Sequence, residues 1–164
     1  MKLAQNHLAA SRIVISEKCD ETVRYAADEL ARHLFAMSRA SFPIATDAPE
    51  LQENDILLGI NRHTDALGFS KRIDALPKEG FFYCTAPRAL IIGGKGRGLL
   101  YGVYSFLEDV LGCRFFSPEV THIPHRCCIE IPVLDHTETP AMEYREPYLT
   151  ECRNPEYAVR RKVN

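Results

Sequence analysis

Tryptophan is absent from this 164-residue chain. That absence argues against a surface module that holds sugar rings by stacking them on exposed indoles. Long apolar runs are missing too. Stretches such as Ile13 to Ile15 and Ala89 to Ile92 fall far short of the roughly 20 residues a membrane-crossing helix needs, so no membrane partner is expected. Charge of one sign is not in excess: 20 basic residues against 22 acidic ones leave a net charge of -2. A polyphosphate partner needs a concentrated positive patch, so nucleic acid is not expected. Met1 to His7 supply one lysine and no continuous apolar h-region, which is not a secretory-signal pattern. The expectation is a cytoplasmic chain, or one whose signal has been removed. Six cysteines are present, Cys19, Cys84, Cys113, Cys127, Cys128 and Cys152, but no C-x-x-C and no dense disulfide-type spacing. Most are expected to be reduced thiols.

What is present is one core's worth of apolar residues. A hydrophobic content of 46% over this length suffices for a single sizeable core and falls short of two ordinary domains. Arg12 to Ser16 is a short β-branched run, after which Asp20 offers an N-cap oxygen and Glu21 a favourable charge at the start of a helix. Val23, Ala26, Ala27, Leu30, Leu34 and Met37 then form one buried stripe, with Arg24, Asp28, Glu29, Arg32 and His33 on the wet side. Extended pieces follow at Phe42 to Thr46 and Asp55 to Gly59, and Asn61 to Lys78 reads as mixed, with a helical turn near Thr64 to Leu67 and a loop ending at Pro77.

Gly80 to Thr85 and Arg88 to Ile92, separated by Ala86-Pro87, have the spacing of an antiparallel hairpin. The hairpin runs into a glycine-rich loop and a second amphipathic helix with Leu99, Val103, Phe106, Leu107, Val110 and Leu111 on its stripe and Gly112 as its C-terminal stop. Cys113 to Phe116 and Cys127 to Ile131 read as two more strands. The fold class that results is an α+β or α/β sandwich, a mixed β-sheet with two amphipathic helices packed on one face. Around Asp135 to Pro140 the composition turns polar and reads as a boundary, with residues 1–138 as one domain and 139–164 as linker and opening of another.

Three clusters invite a chemical reading. Gly94, Gly96 and Gly98 lie between a strand and a helix and could aim amide hydrogens at a phosphate, the basis of an alternative as a nucleotide or sugar-phosphate binding module. The third glycine is one place late for a dinucleotide fingerprint, and Lys95 is not followed by Ser or Thr, so the bland role is a tight turn and close helix-to-sheet approach. His122, His125, Cys127 and Cys128 are the metal-like cluster, but strand alternation would point the two sulfurs apart, and no metal or other cofactor is assigned. Glycosidic hydrolysis needs two carboxyl groups held across a sugar. Glu108 and Asp109 read instead as solvated, and no catalytic residue is assigned. Tyr101 and Tyr104, with Arg97 one turn earlier, lie off the apolar stripe and are equally well placed for a partner-facing surface or a flank covered by the domain's own loops.

Taken in order, the segments Tyr25 to Leu34, Asp55 to Gly59, Glu79-Gly80-Phe81, Leu90 to Gly94, Arg97 to Glu108, Leu111 to Pro118 and Pro140-x-x-x-Tyr144-Arg145-Glu146 resemble the N-terminal domain of alpha-glucuronidases of glycoside hydrolase family 67. They also resemble uncharacterised bacterial glycoside-hydrolase-like proteins that share that domain. The likeness spans roughly residues 11 to 150, and Arg97 to Glu108 is its most specific block. It implies a sandwich similar to the second domain of bacterial beta-hexosaminidases, preceding a (β/α)8 barrel of the same polypeptide that carries the catalytic carboxylates and meets the glycan. By that resemblance Tyr144-Arg145-Glu146 matches the barrel's first strand, Arg97, Tyr101, Tyr104, Arg145 and Glu146 become domain-interface candidates, and a periplasmic or secreted location enters beside the cytoplasmic one. Cys127-Cys128 departs from what an exported member would carry.

Overall fold

A computed structural model describes all residues, 1–164. Its centre is a six-stranded mixed sheet built from β3 (Ile13–Ile15), β4 (Ile44–Thr46), β5 (Asp55–Leu58), β6 (Phe81–Ala86), β7 (Ala89–Gly94) and β11 (Asp135–Glu138), in the order β11-β6-β7-β5-β3-β4. β4, β3, β5 and β7 run parallel, whereas β6 and β11 are antiparallel additions at one side. The expected hairpin is the β6–β7 pair, in register from Phe81 opposite Gly94 to Ala86 opposite Ala89.

Helix α1 (Glu21–Ser38) begins where the Asp20 carboxylate accepts from the Val23 amide at 2.9 Å and ends at Arg39, whose left-handed backbone lets its N–H reach the Phe35 carbonyl. Helix α4 (Gly98–Ser105) continues into a π-helical turn, Phe106–Val110. Both helices lie against one face of the sheet, where Ala26, Ala27, Leu30, Leu34, Ile13, Ile56, Ile92, Val103 and Phe106 share one core. The wide turn makes the α4 stripe differ from the sequence reading: Leu107 and Leu111 stay buried, while Val110 is only half-buried. Gly112, at φ 80°, supplies the left-handed corner after it.

Several elements were not visible in the sequence. The opposite face of the sheet is covered by α3 (Ser70–Asp74), whose Ile73 packs with Leu76, Val14, Leu57, Phe82 and Ile91. It follows α2 (Arg62–Ala66), the helical turn expected near Thr64 to Leu67, which starts two residues earlier in a reciprocal cap between Asn61 and Thr64. The N-terminus forms β1 (Lys2–Gln5) and β2 (Leu8–Ala9), and β1 pairs with β10 (Ile129–Glu130). The expected strand at Cys113 to Phe116 is a two-residue ribbon, β8 (Arg114–Phe115), paired with β9 (Thr121–His122). The polar stretch read as a boundary is edge strand β11: alternation leaves Asp135 and Thr137 outward while His136 stacks on Tyr83 at 4.8 Å between ring centres.

Glu29 and His33, expected on the wet side of α1, are buried. The cause lies far away in the chain. Tyr104 of α4, Phe115 of β8 and Arg160 of α5 (Pro155–Arg160) close over that side of α1, and the polar atoms find partners there.

Candidate functional site

The parallel strands direct their carboxyl ends toward the starts of α1 and α4, because each strand must turn there into its helix. The C-terminal segment folds back over the same end, leaving a groove of about 1070 Å³. Tyr25 and Arg24 of α1, Arg97 and Leu100 at the start of α4, and Glu146 and Tyr148 of the C-terminal segment are among its lining residues. Large apolar side chains stand exposed along the C-terminal segment, Met142, Tyr144, Tyr148 and Leu149, of which the last two line the groove, with Tyr148 fully exposed. The groove walls carry both signs of charge, Arg24, Arg97 and Arg153 against Glu21, Asp28 and Glu156.

The interface candidates separate into two sets. Arg97 and Glu146 are exposed in the groove. Tyr101 and Tyr104 are buried within the chain itself, covered by the C-terminal segment and α1, so the own-loop alternative describes their place here. The Arg145 guanidinium lies 5.6 Å from the centre of the Tyr101 ring and donates to Glu79 at 2.6 Å, to the Lys162 carbonyl at 2.8 Å and to the Met142 carbonyl at 2.7 Å. Tyr144-Arg145-Glu146 is not a strand in this structure: Arg145 N–H is taken by the Asn164 side chain, and the segment pairs with no strand. Sequence reasoning missed the Glu79–Arg145 pair, although Glu79-Gly80-Phe81 was among the segments carrying the resemblance.

Deeper in, the Glu29 carboxylate is held from three sides. Arg32 donates to Oε1 at 2.8 and 2.5 Å, the Tyr104 hydroxyl donates to Oε2 at 2.6 Å, and Arg160 Nε lies 3.9 Å from Oε2. Burial first, and then the hydrogen bond to Glu29, hold the Tyr104 phenol well above its ordinary range, so it stays a proton donor. His33 donates from Nδ1 to the Glu29 carbonyl at 2.7 Å, and burial depresses its pKa from 6.5. Glu108 is half-buried rather than solvated. Burial raises its pKa, against the pull of Arg161, 3.5 Å away.

The glycine loop is packed rather than open. A Cβ on Gly98 would stand 2.3 Å from the Gly80 carbonyl oxygen, and one on Gly94 would meet the Leu99 amide nitrogen at 2.1 Å. Gly96, at φ 56°, makes the turn itself. Lys95 N–H donates to the Gly80 carbonyl and Gly98 N–H to the Lys95 carbonyl, so part of the amide set is used internally. After α4 the chain leaves the sheet for the β8–β9 ribbon instead of returning as a parallel strand. The βαβ unit of a dinucleotide site is thus not built around this loop.

The metal-like cluster does not assemble: no group of three or more His, Cys, Asp and Glu side chains is arranged to hold an ion. The sulfurs of Cys127 and Cys128 do not point apart as alternation predicted. The strand begins only at Ile129, so both cysteines lie in the preceding loop, exposed, with 3.8 Å between Sγ atoms. No helix is long and apolar enough to cross a membrane.

Comparison with known proteins fits this architecture. The family model described as glycosyl hydrolase family 67 N-terminus matches residues 2–106. The chain belongs to this family. A solved family GH115 4-O-methyl-alpha-glucuronidase with specificity for decorated arabinogalactans shares the fold of this family 67 N-terminal chain. The TM-score is 0.64 at 17% identity, over 84% of this chain and 19% of the enzyme. The chain therefore spans about a fifth of that enzyme's length. A GH138 enzyme targeting pectin rhamnogalacturonan II is more distant, with a TM-score of 0.40 at 16% identity over 60% of this chain and 10% of that one. No curated protein sequence matches the chain.

Proposed function

We propose that this chain is the non-catalytic N-terminal domain of an alpha-glucuronidase-like glycoside hydrolase acting on polysaccharide or oligosaccharide. In this reading residues 1–138 are the accessory domain and 139–164 the linker leading into a (β/α)8 catalytic barrel. The family 67 N-terminal match carries the reading. The state of the acidic side chains supports it. Glu29 is held by Arg32 and Tyr104, Glu79 by Arg145, Glu143 by Lys78 and Glu138 by Lys162, so these carboxylates are occupied in holding the chain together. The groove and the exposed Met142, Tyr144, Tyr148 and Leu149 offer the surface on which a barrel would be positioned.

Two measurements test this. Sequencing the gene beyond the codon for Asn164 is expected to reveal an open frame encoding a barrel with its own pair of carboxylates, and a stop codon there overturns the proposal. Incubating the purified chain with aryl glycosides and glucuronides is expected to release no aglycone above the buffer blank. Turnover that survives in a homogeneous sample refutes the non-catalytic assignment.

A further inference from the structure

Six thiols are distributed very unevenly over this fold. Cys84 and Cys113 are buried, and burial pushes both pKa values up to about 11, which keeps them protonated and unreactive. Cys19 and Cys152 are half-buried on different elements. Cys127 and Cys128 alone are exposed, adjacent in sequence, with sulfurs 3.8 Å apart. They sit beside the turn joining β1 to β2, where the Cys127 carbonyl accepts from the His7 amide at 3.2 Å and Cys128 Sγ lies 4.0 Å from Asn6 Oδ1. The two thiols therefore face one another in a loop anchored on both sides, by β10 after it and by the turn beside it.

We propose that Cys127 and Cys128 form a thiol-exchange site that reacts as a unit with low-molecular-weight disulfides. One thiolate attacks a sulfur of the small disulfide, forming a mixed disulfide and releasing one small thiol. The neighbouring thiolate then attacks the protein sulfur of that mixed disulfide, forming the Cys127–Cys128 bond and expelling the second small thiol. Two protein thiols are oxidised, one small disulfide is reduced to two thiols, and the two thiol protons pass to those products. The second step is intramolecular and needs the sulfurs to close from 3.8 Å to about 2.05 Å, by side-chain rotation together with adjustment of the peptide between the two residues. Adjacent Cα atoms across a trans peptide are about 3.8 Å apart, shorter than the roughly 4.4–6.8 Å usual for a disulfide, so the eight-membered ring is strained and opens again with mild reductant.

The experiment uses the whole chain and oxidised glutathione, followed by alkylation of remaining thiols, trypsin digestion and mass spectrometry. Cleavage after Arg126 and Arg145 gives a peptide holding Cys127 and Cys128 and no other cysteine. The expected result is that peptide about 2 Da lighter than its reduced form, unalkylated and without glutathione, and restored by dithiothreitol. The Cys127→Ser variant is expected to hold one glutathione on Cys128 stably, because the resolving thiol is gone. Two glutathiones on the wild-type peptide, full alkylation of both cysteines, or a cross-link from either one to Cys19 or Cys152 overturns the proposal.

Discussion

Replacing Tyr104 with phenylalanine removes a single oxygen atom from the centre of the molecule. Tyr104 is fully buried, and its hydroxyl is the short partner of Glu29 Oε2, at 2.6 Å. Without it that oxygen keeps only Arg160 Nε at 3.9 Å, while Oε1 remains occupied by Arg32. A hydrogen bond to a charged group contributes about 1.5–3 kcal/mol, and a buried acceptor left short of a donor bears its desolvation cost. The phenylalanine ring fills the same space, so no cavity term of consequence is added. The expected loss is about 2 kcal/mol, which for a domain of this size lowers Tm by about 4–8 °C. Urea unfolding followed by circular dichroism measures it, with an unchanged m-value showing that the denatured state is not what moved. A cycle with Glu29→Gln isolates the pair, and its coupling energy is expected above about 1 kcal/mol. A Tyr104→Phe variant within about 0.5 kcal/mol of wild type refutes the claim that this buried carboxylate depends on the phenol.

Other outcomes follow from the same geometry. Gly98→Ala is expected to destabilise by about 3 kcal/mol or more, because the added carbon meets the Gly80 backbone, whereas Gly96→Ala has open space and bears only left-handed backbone strain of about 1–2 kcal/mol; equal losses in chemical denaturation contradict this. His33 has a folded-state pKa below 6.5, so stability is full above that value and falls as pH drops through it toward the folded pKa, by at most about 1.4 kcal/mol per unit. His33→Gln is expected to flatten the profile between about pH 5 and 7, and an unchanged slope rules the assignment out. Asp55, almost fully buried against Arg12 at 2.8 Å, is expected to cost about 3 kcal/mol on change to alanine, read as a lower urea midpoint. Tyr148→Ser, at a fully exposed position, is expected to leave the stability of this chain within about 0.5 kcal/mol while weakening its co-elution with a separately produced catalytic domain.

The elements legible in the sequence are those whose signals are local. Asp20 as N-cap, the stripe from Val23 to Met37 and the short break near Pro87 each act within a few positions, and α1 and the β6–β7 hairpin appear, the latter with Ala86 paired to Ala89 and its turn at Pro87-Arg88, one residue later than the spacing suggested. The unread elements depend on distant partners. β1 exists because β10 pairs with it more than a hundred residues later, and β11 is a polar sequence that becomes a strand only beside β6. The same holds at the candidate site. Glu29 meets a tyrosine 75 positions away, and Arg145 meets Glu79 across 66, so helical periodicity assigned Glu29 to water and left Glu79 without a partner. Gly94 and Gly98 have no room for a side chain against the neighbouring backbone, a close approach that the glycine spacing allowed beside its phosphate-loop alternative.

The π-helical turn at Phe106–Val110 sets the heading on which the chain leaves its second long helix. Each α-helical residue advances the backbone by about 100°, so a wide turn is equivalent to one surplus residue absorbed without moving what lies before it. Removing one residue there would keep Leu99 to Ser105 seated on the sheet yet swing Gly112 and the β8–β9 ribbon about a quarter-turn around the axis, carrying Phe115 away from His33. Length variation at this point is therefore a steering control for everything C-terminal to it, and homologous chains differing by one residue between Ser105 and Gly112 should send that ribbon in a different direction.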